Sequence, residues 1–363
     1  MEYQRLGDYI REVNVRNKDL EATKLVGLTI DKAFIPSVAN VIGTDLSNYK
    51  VIRKEQFACS LMQVSRDGKM PIAMFEEDEA IMSPAYPMFE VIDKTVLMPQ
   101  YLMMWFSRSE FDREASYYAV GGVRGSLTWE DFCNMKLPVP SITRQREIVS
   151  EYETLSNRIR LNEQMIQHLE ATAQALYRKM FVDNIDKENL PEGWRMGTLG
   201  EVADIKAGGD KPMEFSENKT ETYNIPIYAN GIDNKGIFGY TTEPIIKKKS
   251  ITISARGTIG YCFLRNHSYV PIVRLIVVVP HNEVMAQYLF HYLNASNIKG
   301  SGSVQSQLTV PDTEGRGIMI PSMLMTQEFN DKVEIIDKSI SICEQENEEL
   351  TELQSLLLAK MGQ

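Results

Sequence analysis

Apolar residues recur at Ile148, Tyr152, Leu155, Ile159, Ile166, Leu169, Ala173, Leu176 and Met180, and Asn162 stands where one more would complete the run. Gaps of three and four sustained over this length predict one long helix with a single apolar edge. The same frame returns 181 residues later at Phe329, Val333, Ile336, Ile340, Cys343, Asn347, Leu350, Gln354, Leu357 and Met361. Each copy follows a proline-bearing segment, Leu137-Pro138-Val139-Pro140 or Ile318-Met319-Ile320-Pro321. Each closes on a Lys-Met pair, Lys179-Met180 or Lys360-Met361. A gapless offset over so long a stretch marks an internal duplication.

Two such edges in one chain pair parallel or antiparallel. Joining positions whose numbers sum to 509 sets Asn162 opposite Asn347 in the middle of an otherwise apolar stack. The layers are then Ile148 with Met361, Tyr152 with Leu357, Ile159 with Leu350, Leu169 with Ile340, and Met180 with Phe329. A polar residue kept at a seam position fixes register at some cost in stability. The expectation is an antiparallel intramolecular coiled coil with an Asn–Asn layer near its centre. The plainer alternative is two unrelated helices, each packed on its own domain. About 35 helical residues at ~1.5 Å each make a rod of roughly 50 Å.

A globular block precedes each helix, and the blocks share anchors. Leu6-Gly7-Asp8 matches Leu199-Gly200-Glu201 at an offset of 193, and Gln100-Tyr101-Leu102 matches Gln287-Tyr288-Leu289 at 187. Leu127-Thr128 matches Leu308-Thr309 at 181, after which the helices stay in phase. The first block mixes short strand-like runs (23–30, 49–52, 80–83) with a helical stretch over 99–117. In the second, 251–254 and 272–279 read as strands, the latter buried. The expected fold class is α+β: two similar globular domains joined and spaced by two long helices in an antiparallel coiled coil, with pseudo-two-fold character. The expected boundaries are 1–143 for the first domain, 144–181 for the first helical region and 182–194 for a linker. The second domain then takes 195–325 and the second helical region 326–363. A constant frame with variable filling is what a duplicated recognition module looks like once its copies read different targets; drift in two structural domains is the alternative.

Composition narrows the class. At 363 residues the chain has room for two or three domains, and 43% hydrophobic content is that of a water-exposed globular protein. No 18-residue apolar run exists, and the first residues lack an apolar signal region, so a cytoplasmic protein with no membrane partner is expected. Cys59, Cys133, Cys262 and Cys343 are widely spaced, with no zinc-ligand pattern. The net charge of −10 disfavours DNA binding until its distribution is seen. Residues 327–363 carry three basic and nine acidic residues, whereas 195–326 carry 13 basic and 11 acidic. Acid is concentrated on the second helix and on the linker 182–194, which leaves the second block mildly basic; the acidic helix reads as a solvated face or as a docking face for a basic partner.

The candidate contacts lie in glycine-rich and basic turns. Gly121-Gly122-Val123-Arg124-Gly125-Ser126 is a loop open to close backbone approach, and its guanidinium suits guanine edges or phosphates. The corresponding loop, 299–307, places Gln305 at the frame position of Arg124 and also carries Ser303 and Gln307. Gln is the usual reader of adenine, so the exchange implies different base readout. Lys206 and Lys211, Lys247-Lys248-Lys249, and Arg256 with Thr258 in Arg256-Gly257-Thr258-Ile259-Gly260 complete the candidate DNA-binding set. The lysine triplet reads equally as a solvated turn; as a phosphate contact it positions without conferring sequence choice.

No phosphate-binding P-loop, dinucleotide fingerprint or amino-methyltransferase tetrapeptide is present, and the four histidines form no ligand pair. No metal site and no catalytic residue is assigned. Glu217-Asn218-Lys219 with Asp210 upstream has a nuclease-like pattern, but such triplets arise often by chance. Two rival readings therefore stand beside a recognition subunit: a coiled-coil scaffold without a DNA role, and a stand-alone nuclease.

Taken in order, these motifs resemble the specificity subunit of type I restriction-modification systems. The likeness rests on Leu190-Pro191-Glu192-Gly193-Trp194 followed by Leu199-Gly200-Glu201, on Arg256 to Gly260, and on Gly302-Ser303-Val304-Gln305 with Leu308. It rests also on the Pro138-Val139-Pro140 and Gln145-Arg146 helix start, and on the block-plus-helix duplication. The resemblance implies two target recognition domains, each reading one half of a split site on double-stranded DNA, with an unread spacer between. It implies two methyltransferase subunits that bind S-adenosylmethionine and methylate adenine, and restriction subunits that use ATP and Mg2+; no cofactor is expected on this chain. Two departures are Arg124 in place of the usual Gln, and Thr326-Gln327 where the first copy has Gln145-Arg146. A rod of roughly 50 Å spans half-sites about one helical turn (~34 Å) apart.

Overall fold

A computed structural model describes residues 2–362 apart from 38–42, 63, 121–124, 184, 258, 297 and 299–306. Contacts divide the chain into two units, 1–162 with 344–363, and 163–343.

The first unit opens with β1 (Tyr3–Arg5), β2 (Ile10–Glu12), β3 (Val26–Leu28), β4 (Phe34–Pro36), β5 (Lys50–Arg53) and β6 (Phe57–Cys59). A helical turn, α1 (Val64–Asp67), leads to β7 (Ile72–Met74), β8 (Glu79–Met82) and β9 (Met88–Val91). Helices α2 (Pro99–Phe106), α3 (Ser109–Ala119) and α4 (Trp129–Asn134) precede β10 (Lys136–Pro138) and the long α5 (Ile142–Phe181). The main sheet has the order β2-β9-β6-β7, and β1 pairs with β10. Phe57, Phe89, Phe106, Phe111 and Phe132 are at most 1% exposed and pack against one another at the centre.

The second unit contains β11 (Arg195–Thr198), β12 (Ala203–Ala207), β13 (Ile225–Tyr228), β14 (Ile237–Thr241), β15 (Ser250–Ser254) and β16 (Cys262–Arg265). There follow β17 (Val270–Pro271), β18 (Leu275–Pro280), α6 (Met285–Ala295), α7 (Val310–Glu314), β19 (Gly317–Ile320) and the long α8 (Met323–Lys360), which belongs to this unit as far as Cys343. Its main sheet runs β12-β18-β15-β16, and β11 pairs with β19.

Strand for strand, this is the order of the first unit, and the fastenings repeat as well. The Leu6 amide donates to Met135 O, and the Leu199 amide donates to Arg316 O. Thr128 caps α4 by accepting from the Asp131 amide, as Thr309 caps α7 by accepting from the Asp312 amide. The Tyr101 hydroxyl donates to Pro138 O, and the Tyr288 hydroxyl to Met319 O. The anchors shared in the sequence are the residues that tie each sheet to the strand leading into its long helix.

Three elements differ from the pattern-based expectation. The helical stretch 99–117 is two helices, because the backbone at Arg108 is extended (φ −74°, ψ 142°). The bend lets Phe106 and Phe111 enter the same core while the Arg108 guanidinium lies 4.1 Å over the Trp105 ring. The run 23–30 forms strand only over β3, since the next residue upstream, Leu25, bridges to Ile81 instead of to β4. The run 272–279 becomes strand only at Leu275: Arg274 takes φ +72° in a turn, and Ile272 bridges to Gly209.

Within the first unit, the early part of α5 meets the late part of α8 antiparallel. Ile148 and Met361 share a core cluster with Tyr152 and Leu357. Asn162, 4% exposed, donates from Nδ2 to Asn347 Oδ1 at 2.9 Å and to Glu346 Oε2 at 2.9 Å. Arg158 reaches Glu346 with two bonds of 2.8 Å, and Gln354 donates to Ser156 Oγ at 2.7 Å. Ile159, Leu350 and Leu357 are half-buried along the same seam. In the second unit, Leu169, Leu176 and Ile340 are half-buried and Val333 is fully buried. Ala173, Tyr177 and Phe181 pack with Phe329 and Val333.

Val149, Tyr177 and Phe181, all under 5% exposed, lie outside the heptad frame. They form a second buried stripe turned to the globular part. Phe181 meets Tyr288 at 4.8 Å between ring centres and Phe329 at 5.1 Å. In the second unit α5 is thus buried on two sides, by α8 along the seam and by the sheet-bearing body at Tyr177 and Phe181.

Candidate nucleic-acid interface

In the second unit, β15 ends at Ser254 and the chain turns through Ala255 and Arg256. Asn230, just past β13, holds that turn from both sides. Its Oδ1 accepts from the amides of Ala255 (2.9 Å) and Arg256 (3.3 Å), and its Nδ2 donates to Arg256 O at 2.7 Å. An amide side chain matching one backbone acceptor and two donors fixes a turn that has no ladder of its own. Arg265, 3% exposed, supports the neighbouring turn by donating to Lys235 O (2.7 Å) while its guanidinium lies 3.5 Å over the Tyr228 ring. Burial lowers its pKa.

The end of the glycine-rich loop is pinned beside this turn. Arg256 and Gln307 form an antiparallel bridge, and the Leu308 amide donates to Ala255 O at 2.9 Å. Gly260, at φ +91°, lies where a Cβ would come within 3.2 Å of both Cβ and O of Ile298, so this crossing of two loops calls for glycine. Arg256 and Gln307 are therefore brought together. Thr258, Ser303 and Gln305 lie outside the described residues, as does Arg124 of the first unit.

Strand register places two further candidates at the same end of the sheet. Lys206 is opposite Val277, which is opposite Thr252, and the chain runs on from there toward the Ser254–Leu275 pair. The Gly208 amide donates to Leu275 O, and a Cβ on Gly208 would fall 2.2 Å from Ile272 O, so only glycine allows this approach. Lys206 and Lys211 are exposed, and Lys211 Nζ stands 4.1 Å over the Phe215 ring. Lys247, Lys248 and Lys249 lie at the other end, ahead of Ser250 where β15 begins. There Lys249 acts on Asp337 of α8, whose pKa is raised by burial and opposed by Gln287 and Lys249. The candidate set thus splits into a loop-end group and a helix-side group. Asp210, Glu217 and Lys219 are exposed. Among the described residues, no cluster of His, Cys, Asp and Glu is arranged for a metal ion, and no helix is long and apolar enough to cross a membrane.

The first unit repeats the arrangement with other side chains. The Leu127 amide donates to Leu61 O at 2.8 Å, as Leu308 does to Ala255. Half-buried Ser126 is the residue that corresponds to Gln307.

Comparison with known proteins agrees with this architecture. Residues 191–352 match the family described as type I restriction modification DNA specificity domain. A candidate type I specificity subunit of Mycoplasma pneumoniae is 39% identical over 146 residues, covering 40% of this chain and 44% of that protein. The HindI specificity subunit of Haemophilus influenzae is 20% identical over 450 residues, covering 98% of this chain and 97% of that one. The crystal structure of a type I S subunit from M. genitalium has the same fold, with a TM-score of 0.58 at 15% identity over 100% of this chain and 96% of that one. The chain is thus similar to type I specificity subunits, through the family match over residues 191–352 and through the fold over its whole length. It spans 44% and 40% of the lengths of the two M. pneumoniae relatives it matches at 39% and 38% identity.

In this chain the residues that sequence pattern passes over are mostly those that position others. Asn230 lies in a stretch rich in Asn and Gly, a turn signal that says nothing of which backbone it clamps. Gln145, 0% exposed, belongs to the helix-start motif. Its Oε1 accepts from the Met98 amide (2.8 Å) and its Nε2 donates to Val96 O (2.7 Å) and Pro140 O (2.8 Å). It joins α5 to the loop ahead of α2. At the corresponding place in α8, Thr326 bonds, among the described residues, back to Ser322 O, so the departure noted in the sequence replaces a tertiary clasp by a local one.

Proposed function

We propose that this chain is the non-catalytic, DNA-reading subunit of a type I restriction-modification complex. Each unit reads one half of a bipartite site on double-stranded DNA, through the turn after its third-ranked sheet strand (β6 or β15) and the glycine-rich loop pinned beside it. The chain also docks two adenine methyltransferase subunits, and restriction subunits join the assembly. S-adenosylmethionine, ATP and Mg2+ belong to those partners. What chiefly supports the reading is a repeated frame with unlike side chains at the loop end. The same hydrogen bond, Leu127 to Leu61 and Leu308 to Ala255, presents different residues in the two units. Lys206 and Lys211 at that end supply phosphate attraction, which positions the duplex, and Arg256 with Gln307 supplies donors for base edges.

The test is co-expression with the methyltransferase partner, followed by mapping of methylated adenines. A bipartite motif is expected. Arg256→Ala is expected to relax one position of one half-site and leave the other half-site intact, with a loss of discrimination of about 1–3 kcal/mol. Methylation without a bipartite motif, or a change in both half-sites, would count against the proposal. DNA cutting by the chain alone, lost on Glu217→Gln, would instead favour a nuclease.

A further inference from the structure

The two loop ends share a hydrogen bond that makes one more pair of positions equivalent. Leu61 and Ala255 accept the corresponding amide, so the residue after each is equivalent: Met62 in the first unit and Arg256 in the second. We infer that Met62 is a specificity-determining residue of the first reader, one that recognises the C5 methyl group of a thymine. This rests on the DNA-reading proposal above.

Three observations lead to it. Met62 is 59% exposed although it is large and apolar, and it sits on the loop end where the other unit places a guanidinium. It forms part of the wall of a cleft of about 230 Å³ that also includes Tyr49, Tyr86, Ser37 and Ser83. Among the described residues, no charged side chain lines that cleft. Among the described lining residues, a base edge arriving here meets a polarisable thioether and hydroxyl-bearing side chains. In the major groove, thymine is the base that offers a methyl group beside an acceptor, O4, whereas guanine offers two acceptors suited to Arg. Methionine is unbranched and adapts its surface to such a contact. The duplicated frame therefore carries two chemistries at one position, apolar contact at Met62 and bidentate donation at Arg256.

The experiment uses the assembled complex with its methyltransferase subunits and the motif it methylates. The half-site of the first unit is the one left unchanged by Arg256→Ala. Each thymine in it, on either strand, is replaced in turn by deoxyuridine, which removes only the methyl group, and binding is measured by titration. One replacement is expected to weaken binding by the wild-type complex about fourfold, the worth of one buried methyl group. The Met62→Ala complex should bind the thymine duplex about fourfold more weakly and be indifferent to that same replacement. Met62→Leu should keep the preference, which shows that the loop still folds. A half-site without thymine, no effect of any replacement, or undiminished sensitivity in Met62→Ala overturns the assignment while leaving the DNA-reading proposal standing. A complex that methylates no bipartite motif overturns both.

Discussion

His291 of α6 is 5% exposed, with Nδ1 3.0 Å from Gln174 Oε1 of α5 and its ring between those of Tyr177, Phe290 and Phe329. With the amide oxygen as acceptor, the neutral ring carries its proton on Nδ1. Burial pushes its pKa down to about 4. The unfolded chain then binds a proton more readily than the folded one. The second unit is expected to hold its full stability above about pH 6.5 and to lose it as the pH falls toward 4. The loss is on the order of 3 kcal/mol at full protonation. Denaturant titrations at pH 7.5 and 4.5 check this. His291→Gln should flatten the difference, and an unchanged slope in that variant would assign the acid sensitivity to other groups. His291 was visible in the sequence only as one of four scattered histidines, because nothing local announces that a side chain will be surrounded by three aromatic rings.

At the scale of the element, α5 and α8 show what a heptad pattern carries and what it omits. Every seam position from Ile148 to Met180 is buried or half-buried, and so is every one from Phe329 to Met361. The amide layer sits inside that seam, Asn162 on Asn347, with Glu346 and Arg158 completing the polar group. Replacing both asparagines by leucine is expected to raise the melting temperature, since a buried polar pair contributes register more than stability. Replacing Asn162 alone leaves the Asn347 amide facing an apolar side chain and should cost about 1–2 kcal/mol. Thermal melts of the three proteins decide it; a double variant less stable than either single one would mean the layer stabilises the fold outright. Tyr177 and Phe181 escaped the pattern because they answer to a second surface, the body of the second unit, whose position no spacing along a helix encodes.

At the scale of the molecule, the duplication visible as an offset of 181 recurs as identical strand order in two sheets and as four pairs of matching hydrogen bonds. If the paired helices set the length of the unread spacer, removing one heptad from each at matched positions should shorten the spacer in the methylated motif. Both half-sites should keep their sequence. Mapping methylated adenines before and after checks it, and altered half-sites with an unchanged spacer would remove the helices from that role. The loop ends were legible from glycine and basic residues, as Arg256 and Gln307 show by lying together. The lysine triplet looked equivalent in composition, yet it stands at the opposite end of β15, because residues a strand apart in sequence come out at opposite ends of a sheet.

Periodicity and internal repetition were enough to establish the two long helices, their antiparallel match through Asn162 and Asn347, and the twofold plan of the chain. Those features arise from interactions of fixed spacing along one backbone, which a list of residues records directly. The break at Arg108, the second buried stripe of α5, the Asn230 clamp and the equivalence of Met62 with Arg256 were settled only by tertiary structure. Each depends on which distant segments meet, and that is decided by the joint packing of sheets, helices and loops into two dense cores, in which no single stretch of sequence names its partner.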